Sequence, residues 1–162
     1  MKTLLILRHA KSSWADAGQA DFDRPLNKRG RQSAPLIGQE IRERGITPWL
    51  VLSSTALRAR LTTELVNAES GFTGQTVFEQ DLYLAPPETY LERLRWLGGE
   101  ANPAMVVGHN PGLEMLVGML TGQHASFPTA ALAIVDLPID AWSELRSNTP
   151  GRLVDLVLPR EL

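Results

Sequence analysis

The stretch Thr3–Trp14, TLLILRHAKSSW, decides the reading of the fold. Thr3–Leu7 is a short apolar run bounded by polar residues, the pattern of a strand covered on both faces. It runs straight into Arg8, His9, Ala10 and Lys11. In open α/β sheets, ligands sit beyond the carboxyl ends of the strands. Two cations and an imidazole at that point mark a place for an anion. The plainer alternative is a strand that simply ends, with polar residues after it.

Working outward, the same alternation recurs. Leu50–Leu52, Met105–Val107 and Ala131–Leu137 are further short apolar runs, while Arg152–Leu158 alternates in the manner of an edge strand. Between them lie helical patterns. Asn27 is placed to cap a helix running through Gln32, Leu36, Ile37 and Ile41 to a stop at Gly45. Ser53 or Ser54 is placed to cap a second, from Ala56 to about Asn67. PPETYLERLRWLGG (86–99) has prolines at its start and glycines at its end, and PGLEMLVGMLTG (111–122) reads as a fourth helix. Strands alternating with helices predict an α/β fold, a mostly parallel central sheet with helices on both sides. The 162 residues fit one domain, and the longest irregular stretch is Ser12–Pro25.

Composition narrows the function. Sixteen Lys and Arg against eighteen Asp and Glu give a net charge of −2, so no broad basic field exists for nucleic acid or an anionic membrane. An anion, if bound, is bound locally. The chain has no cysteine, which removes disulfides, thiolate nucleophiles and cysteine zinc sites. The opening apolar run is too short for a signal-peptide core or a membrane span. The expectation is a soluble, cytoplasmic protein.

Three stretches share one arrangement. Arg8–His9 end the first strand, SSTALRAR (53–60) follows the second, and GHNPG (108–112) follows Met105–Val107. Each sets a cation or imidazole beside a loop or helix N-terminus, where free N–H groups favour negative charge. A phosphoryl group suits such a set, because guanidinium forks match its oxygens. A histidine attacks phosphorus only when neutral. With an unperturbed pKa of about 6.5, roughly three-quarters of an ordinary imidazole is neutral at pH 7, and nearby arginines raise that share. Each arginine about 4 Å from a phosphate charge contributes ~4 kcal/mol before desolvation.

Bland readings stand beside these. His9 alone would be a strand-end histidine bonded to backbone, and His109 alone a turn residue; Arg8, Arg58 and GHNPG together favour the catalytic reading of both. Arg60, two residues from Arg58, reads as solvated or paired with Glu64. Lys11 is a surface lysine or a source of positive potential. Arg24 is a phosphate or substrate contact, or a loop ion pair with Asp21 or Asp23. Asp21 and Asp23 resemble half of a metal site, but nothing at ligand spacing completes it, so they read as a solvated pair. His124 reads as incidental. Trp14 is placed at the pocket mouth, and Trp49, Trp96 and Trp142 in the core or between helices.

LRHAKSSW, DFDRPLNKRG, SSTALRARLTTE, DLYLAPPETYLERL and VVGHNPGLEML occur in order over about residues 3–120. Together they resemble the histidine phosphatase superfamily, in its short phosphohistidine phosphatase (SixA-type) branch. Superfamily members usually continue Arg-His-Gly; Ala10 and Lys11 match the variant associated with the short branch. The resemblance implies a phosphoglycerate mutase-like three-layer α/β/α fold without large helical insertions. It implies a metal-independent phosphatase without a cofactor, acting through phosphohistidine on His9. Arg8, Arg58 and His109 would complete the phosphate pocket, with Arg24, Lys11 and Asn110 as substrate contacts. Asp81, or else Glu79, would stand where superfamily phosphomonoesterases keep the acid that protonates a leaving alkoxide. The implied substrate is phosphohistidine on a signalling or phosphotransfer protein. A small phosphomonoester is the alternative, and after it a non-catalytic module that binds phosphorylated ligands. Mutase activity is disfavoured, because a short chain retains little of a departing product.

Overall fold

A computed structural model describes all 162 residues. Six strands form one sheet: β1 (Lys2–Arg8), β2 (Leu50–Ser54), β3 (Gln75–Glu79), β4 (Ala104–Gly108), β5 (Leu132–Leu137) and β6 (Arg152–Val157). Their order is β3-β2-β4-β1-β5-β6. β1 to β4 run parallel, and only β5 opposes its neighbours. The mostly parallel α/β architecture read from the sequence is the one found. No helix is long and apolar enough to cross a membrane.

Strand residues alternate between two cores. Leu4, Ile6, Leu52 and Val106 face one way and pack with Tyr90, Leu94, Leu113 and Leu116. These come from α3 (Pro87–Leu97) and α4 (Gly112–Thr121). Leu5, Leu7, Val51, Met105 and Val107 face the other way, against Ile37, Ile41, Ala59 and Val66. Those belong to α1 (Lys28–Glu43) and α2 (Leu57–Ser70). Two apolar faces on each central strand explain why these runs are continuously hydrophobic rather than alternating.

The helix boundaries obey local chemistry, with one correction. Asn27 caps α1, its Oδ1 accepting from the Gly30 N–H at 2.9 Å. Ser53 and Ser54 do not cap α2. They end β2, and the cap position falls to Ala56, which offers no side-chain acceptor. Their hydroxyls are engaged elsewhere: Ser53 accepts from Thr63, and Ser54 accepts from the Ala56 N–H while meeting His109. β3 is an edge strand paired with β2 that the hydrophobic pattern does not reveal, because QTVFE is short and half polar. Trp49 and Trp96 are also corrected, being 59% and 77% exposed, whereas Trp142 is buried.

The strand order brings distant residues together. β4 lies between β1 and β2, so the carboxyl ends carrying His9, His109 and Ser54 are adjacent although far apart in sequence.

Candidate active site

His9 is held from both sides. Its N–H donates to the Gly108 carbonyl at 3.1 Å, and its carbonyl accepts from Ala130 at 3.0 Å. The loop after β1 is then clamped onto α1. Asn27 donates to the Lys11 carbonyl, Ser13 to the Pro25 carbonyl, and Ser12 bridges Leu26. Gly30 is required here, because a Cβ on it would run into the Lys11 carbonyl. Ala10 is fully buried in the core, and its N–H donates to Thr62 Oγ1 at 2.9 Å. Thr62 in turn donates to the Arg58 carbonyl at 2.7 Å, tying the first turn of α2 to the residue after His9.

The imidazole of His9 has a defined tautomer. Nδ1 lies 2.7 Å from the Ala10 carbonyl oxygen, which can only accept, so Nδ1 carries the proton. Nε2 keeps its lone pair. The residue is 6% exposed, and its pKa is lowered to about 4. Burial is the largest cause, ahead of repulsion from Arg58, Arg8 and Arg24. Arginine repulsion therefore acts in the expected direction but is second to desolvation.

His109 comes directly after β4. Its N–H donates to the Tyr90 hydroxyl at 3.3 Å, and a Cβ at Gly108 would collide with that hydroxyl. Its Nε2 is 2.8 Å from Ser54 Oγ. Ser54 accepts from the Ala56 N–H and can donate its own proton to Nε2. In that tautomer the His109 proton is on Nδ1, which is buried and has no protein partner. Burial and the facing His9 lower the His109 pKa to about 3. Both rings are neutral at pH 7.

Arg8, His9, Lys11, Arg24, Arg58, His109 and Asn110 line one recess of about 270 Å³. Ser12, Trp14, Leu84 and Thr129 complete it, and no carboxylate lines it. Arg58 is 3% exposed, and one of its terminal nitrogens meets the Asp21 carboxylate at 3.0 Å. Arg24 pairs with the same carboxylate at 2.9 Å, donates to the Ser13 carbonyl and to Ser12 Oγ, and lies over the Trp14 ring. Arg24 is thus both a loop ion pair and part of the recess wall. Arg8 donates to the Phe127 carbonyl, and burial lowers its pKa. The Nε atoms of Arg8 and Arg58 are buried donors with no partner, like His109 Nδ1. Unpaired buried donors cost about 1–3 kcal/mol each, and an oxyanion in the recess would relieve that.

Other expected residues fall differently. Asn110 lines the recess, but its amide protons go to the Phe127 carbonyl at 2.8 Å and Glu114 at 3.2 Å, so it has no donor left for a ligand. Asp81 sits exposed on the turn Gln80–Leu82 and does not line the recess. Glu79 lies 3.9 Å from Arg93 instead. Arg60 stacks on Phe78 at 4.4 Å rather than pairing with Glu64. Trp14 does border the mouth.

Asp21 is the residue that sequence reasoning missed. Rather than being a solvated loop acid, it joins Arg24, Arg58 and the Tyr83 hydroxyl, the last at 2.5 Å. The Tyr83 hydrogen bond, then the two guanidiniums, hold its carboxyl pKa at about 2. Ser54, which reads from the sequence as a cap, meets His109 instead, and the paired serines at the end of β2 are the available signal.

Comparisons with known proteins bear on the family and the fold. The family model of the histidine phosphatase superfamily (branch 1) matches residues 4–82. An uncharacterised protein of Mycobacterium tuberculosis is 35% identical, over 95% of this chain and 100% of its own length. A crystal structure from Agrobacterium tumefaciens, of a protein assigned as phosphohistidine phosphatase SixA, is 34% identical, with a TM-score of 0.83 over 98% of each chain. The protein histidine phosphatase SixA in complex with tungstate shares the fold, with a TM-score of 0.82 at 23% identity over 98% of each chain. Sequence and architecture together place this chain in the histidine phosphatase superfamily, in its SixA-like branch.

Proposed function

We propose that this phosphatase works through a covalent phosphohistidine on His9 and that its substrate is phosphohistidine carried by a protein. One observation carries the reading: four cations and two neutral imidazoles line the recess, and no carboxylate does.

In the first step the His9 Nε2 lone pair attacks phosphorus, and the bond from phosphorus to the substrate imidazole breaks. The leaving imidazole departs neutral when its far nitrogen has taken a proton from water. An alkoxide has no such route and needs an acid in the site. The Nδ1 proton of His9 stays bonded to the Ala10 carbonyl, which stabilises the positive charge that phosphorylation brings to the ring. Arg8, Arg58 and the Nδ1–H of His109 stabilise the charge on the transferring oxygens. In the second step water attacks phosphorus, its proton passes to a phosphate oxygen, and the bond to Nε2 breaks. His9 returns in its starting tautomer.

The test compares free phosphohistidine and a phosphohistidine peptide with simple phosphomonoesters. Preferential hydrolysis of the phosphoramidates supports the reading. Faster hydrolysis of the esters would transfer it to the small-molecule alternative.

A further inference from the structure

Beside the recess lies a second depression of about 500 Å³, and the two share Lys11 and Thr129 as a common wall. Its sides come from α1, from the Pro128–Thr129 loop and from Leu158–Arg160. Lys11, Arg29 and Arg160 line it, all exposed, and no carboxylate does. Arg44, Arg93 and Arg152 each pair with a carboxylate elsewhere on the surface, whereas these three cations make no ion pair. In a chain of net charge −2, that is a local concentration of uncompensated positive charge.

Arg29 also stands in the first turn of α1, which holds no acidic residue. Cations at that end oppose the helix dipole, and a bound anionic partner would offset this. The same depression is lined by Leu36, Pro128, Leu158 and Pro159, with Leu36 38% exposed, beside the polar Gln32 and Ser33. A second phosphate on a small substrate would need donors converging on one point. Here the cations come from three separate segments, the loop after β1, α1 and the stretch after β6, and share the lining with aliphatic and proline side chains, which suits a polypeptide that alternates acidic and aliphatic side chains.

We infer that this groove docks an acidic, aliphatic segment next to the phosphorylated residue of the partner protein, guiding that residue into the recess over Lys11 and Thr129. The inference rests on the phosphohistidine reading above. Attraction across the groove would act mainly on encounter and on KM, and would weaken with salt.

Two synthetic peptides of equal length test it, each carrying one phosphohistidine. One is flanked by Asp, Glu and Leu, the other by Lys and Leu. The wild type is expected to hydrolyse the acidic peptide with kcat/KM at least tenfold above the basic one. The double variant Arg29→Glu/Arg160→Glu is expected to lose that preference yet hydrolyse free phosphohistidine at the wild-type rate. Equal kcat/KM for the two peptides in the wild type, or a preference that survives charge reversal, overturns the groove. If neither peptide turns over, the phosphohistidine reading fails and binding decides the groove by itself. Fluorescence anisotropy of the unphosphorylated acidic peptide, bound by the wild type and lost in the double variant, then supports it. Absence of binding to the wild type overturns it.

Discussion

The rings of His9 and His109 lie 5.2 Å apart, centroid to centroid, with their planes tilted by 48°. They stand at the ends of adjacent parallel strands whose register pairs Arg8 with Gly108, so a backbone ladder sets their separation. Under the proposed chemistry one ring is the nucleophile and the other a donor. His109→Ala is expected to lower kcat by about 10²–10³-fold, the usual effect of removing one donor to a developing oxyanion. Ser54→Ala frees the His109 tautomer and should cost about tenfold, the worth of one hydrogen bond. Steady-state kinetics on free phosphohistidine check both.

Asp21 links two guanidiniums of the wall, Arg24 and Arg58, to the Tyr83 hydroxyl, and the consequence is a positioning role. Asp21→Asn keeps the shape but removes the charge that pairs with Arg24 and Arg58 and accepts from Tyr83. Its side chain is 45% exposed, so the fold is expected to tolerate the change. KM for the phosphorylated substrate should rise about tenfold through loss of guanidinium alignment, with a smaller change in kcat. Asp23→Asn serves as the comparison and should behave as wild type.

Stability is expected to fall on acidification. The folded pKa values, about 4 for His9 and about 3 for His109, lie below the value of about 6.5 for an unfolded histidine. As pH drops below 6.5, the unfolded chain binds protons that the folded chain refuses. The loss amounts to roughly 2 kcal/mol per ring at pH 5. Urea unfolding at pH 7.5 and 5.0 measures it, and the double variant His9→Gln/His109→Gln should flatten the dependence.

Gly30→Ala tests the clamp between the first helix and the loop after β1. The added Cβ meets backbone rather than a flexible side chain. Overpacking of this kind costs about 1–3 kcal/mol. Thermal unfolding should register that loss, and activity should fall as well, since Lys11 and Ser12 line the recess.

Asp81→Asn separates the two substrate classes. Asp81 is exposed and outside the recess lining. Hydrolysis of phosphohistidine is expected to stay within twofold of wild type. A large loss would mean that this carboxylate reaches the leaving group.

What the sequence reveals, and what it hides, divides along physical lines. The strand at Thr3–Leu7, the Asn27 cap and the GHNPG turn are legible, because hydrophobic period, capping and turn chemistry act over a few residues. Arg8, His9, Arg58 and His109 are legible because their motifs place them at strand ends and a helix start. Asp21 is not, since its meaning comes from Arg58, 37 positions away, and Tyr83, 62 positions away. Ser54 reads as a cap because a helix starts just after it, while its partner His109 is 55 residues distant. The leading cause of the His9 shift is hidden for the same reason: desolvation depends on what packs over the ring.

The most direct measurement is rapid-quench trapping of phosphate on the protein during turnover, read out by mass spectrometry under alkaline conditions, in which phosphohistidine survives. The account predicts a single acid-labile phosphate on His9 that forms and decays at rates compatible with turnover, and that is absent from His9→Ala along with activity. Turnover persisting in His9→Ala, or label residing on any other residue, would contradict it.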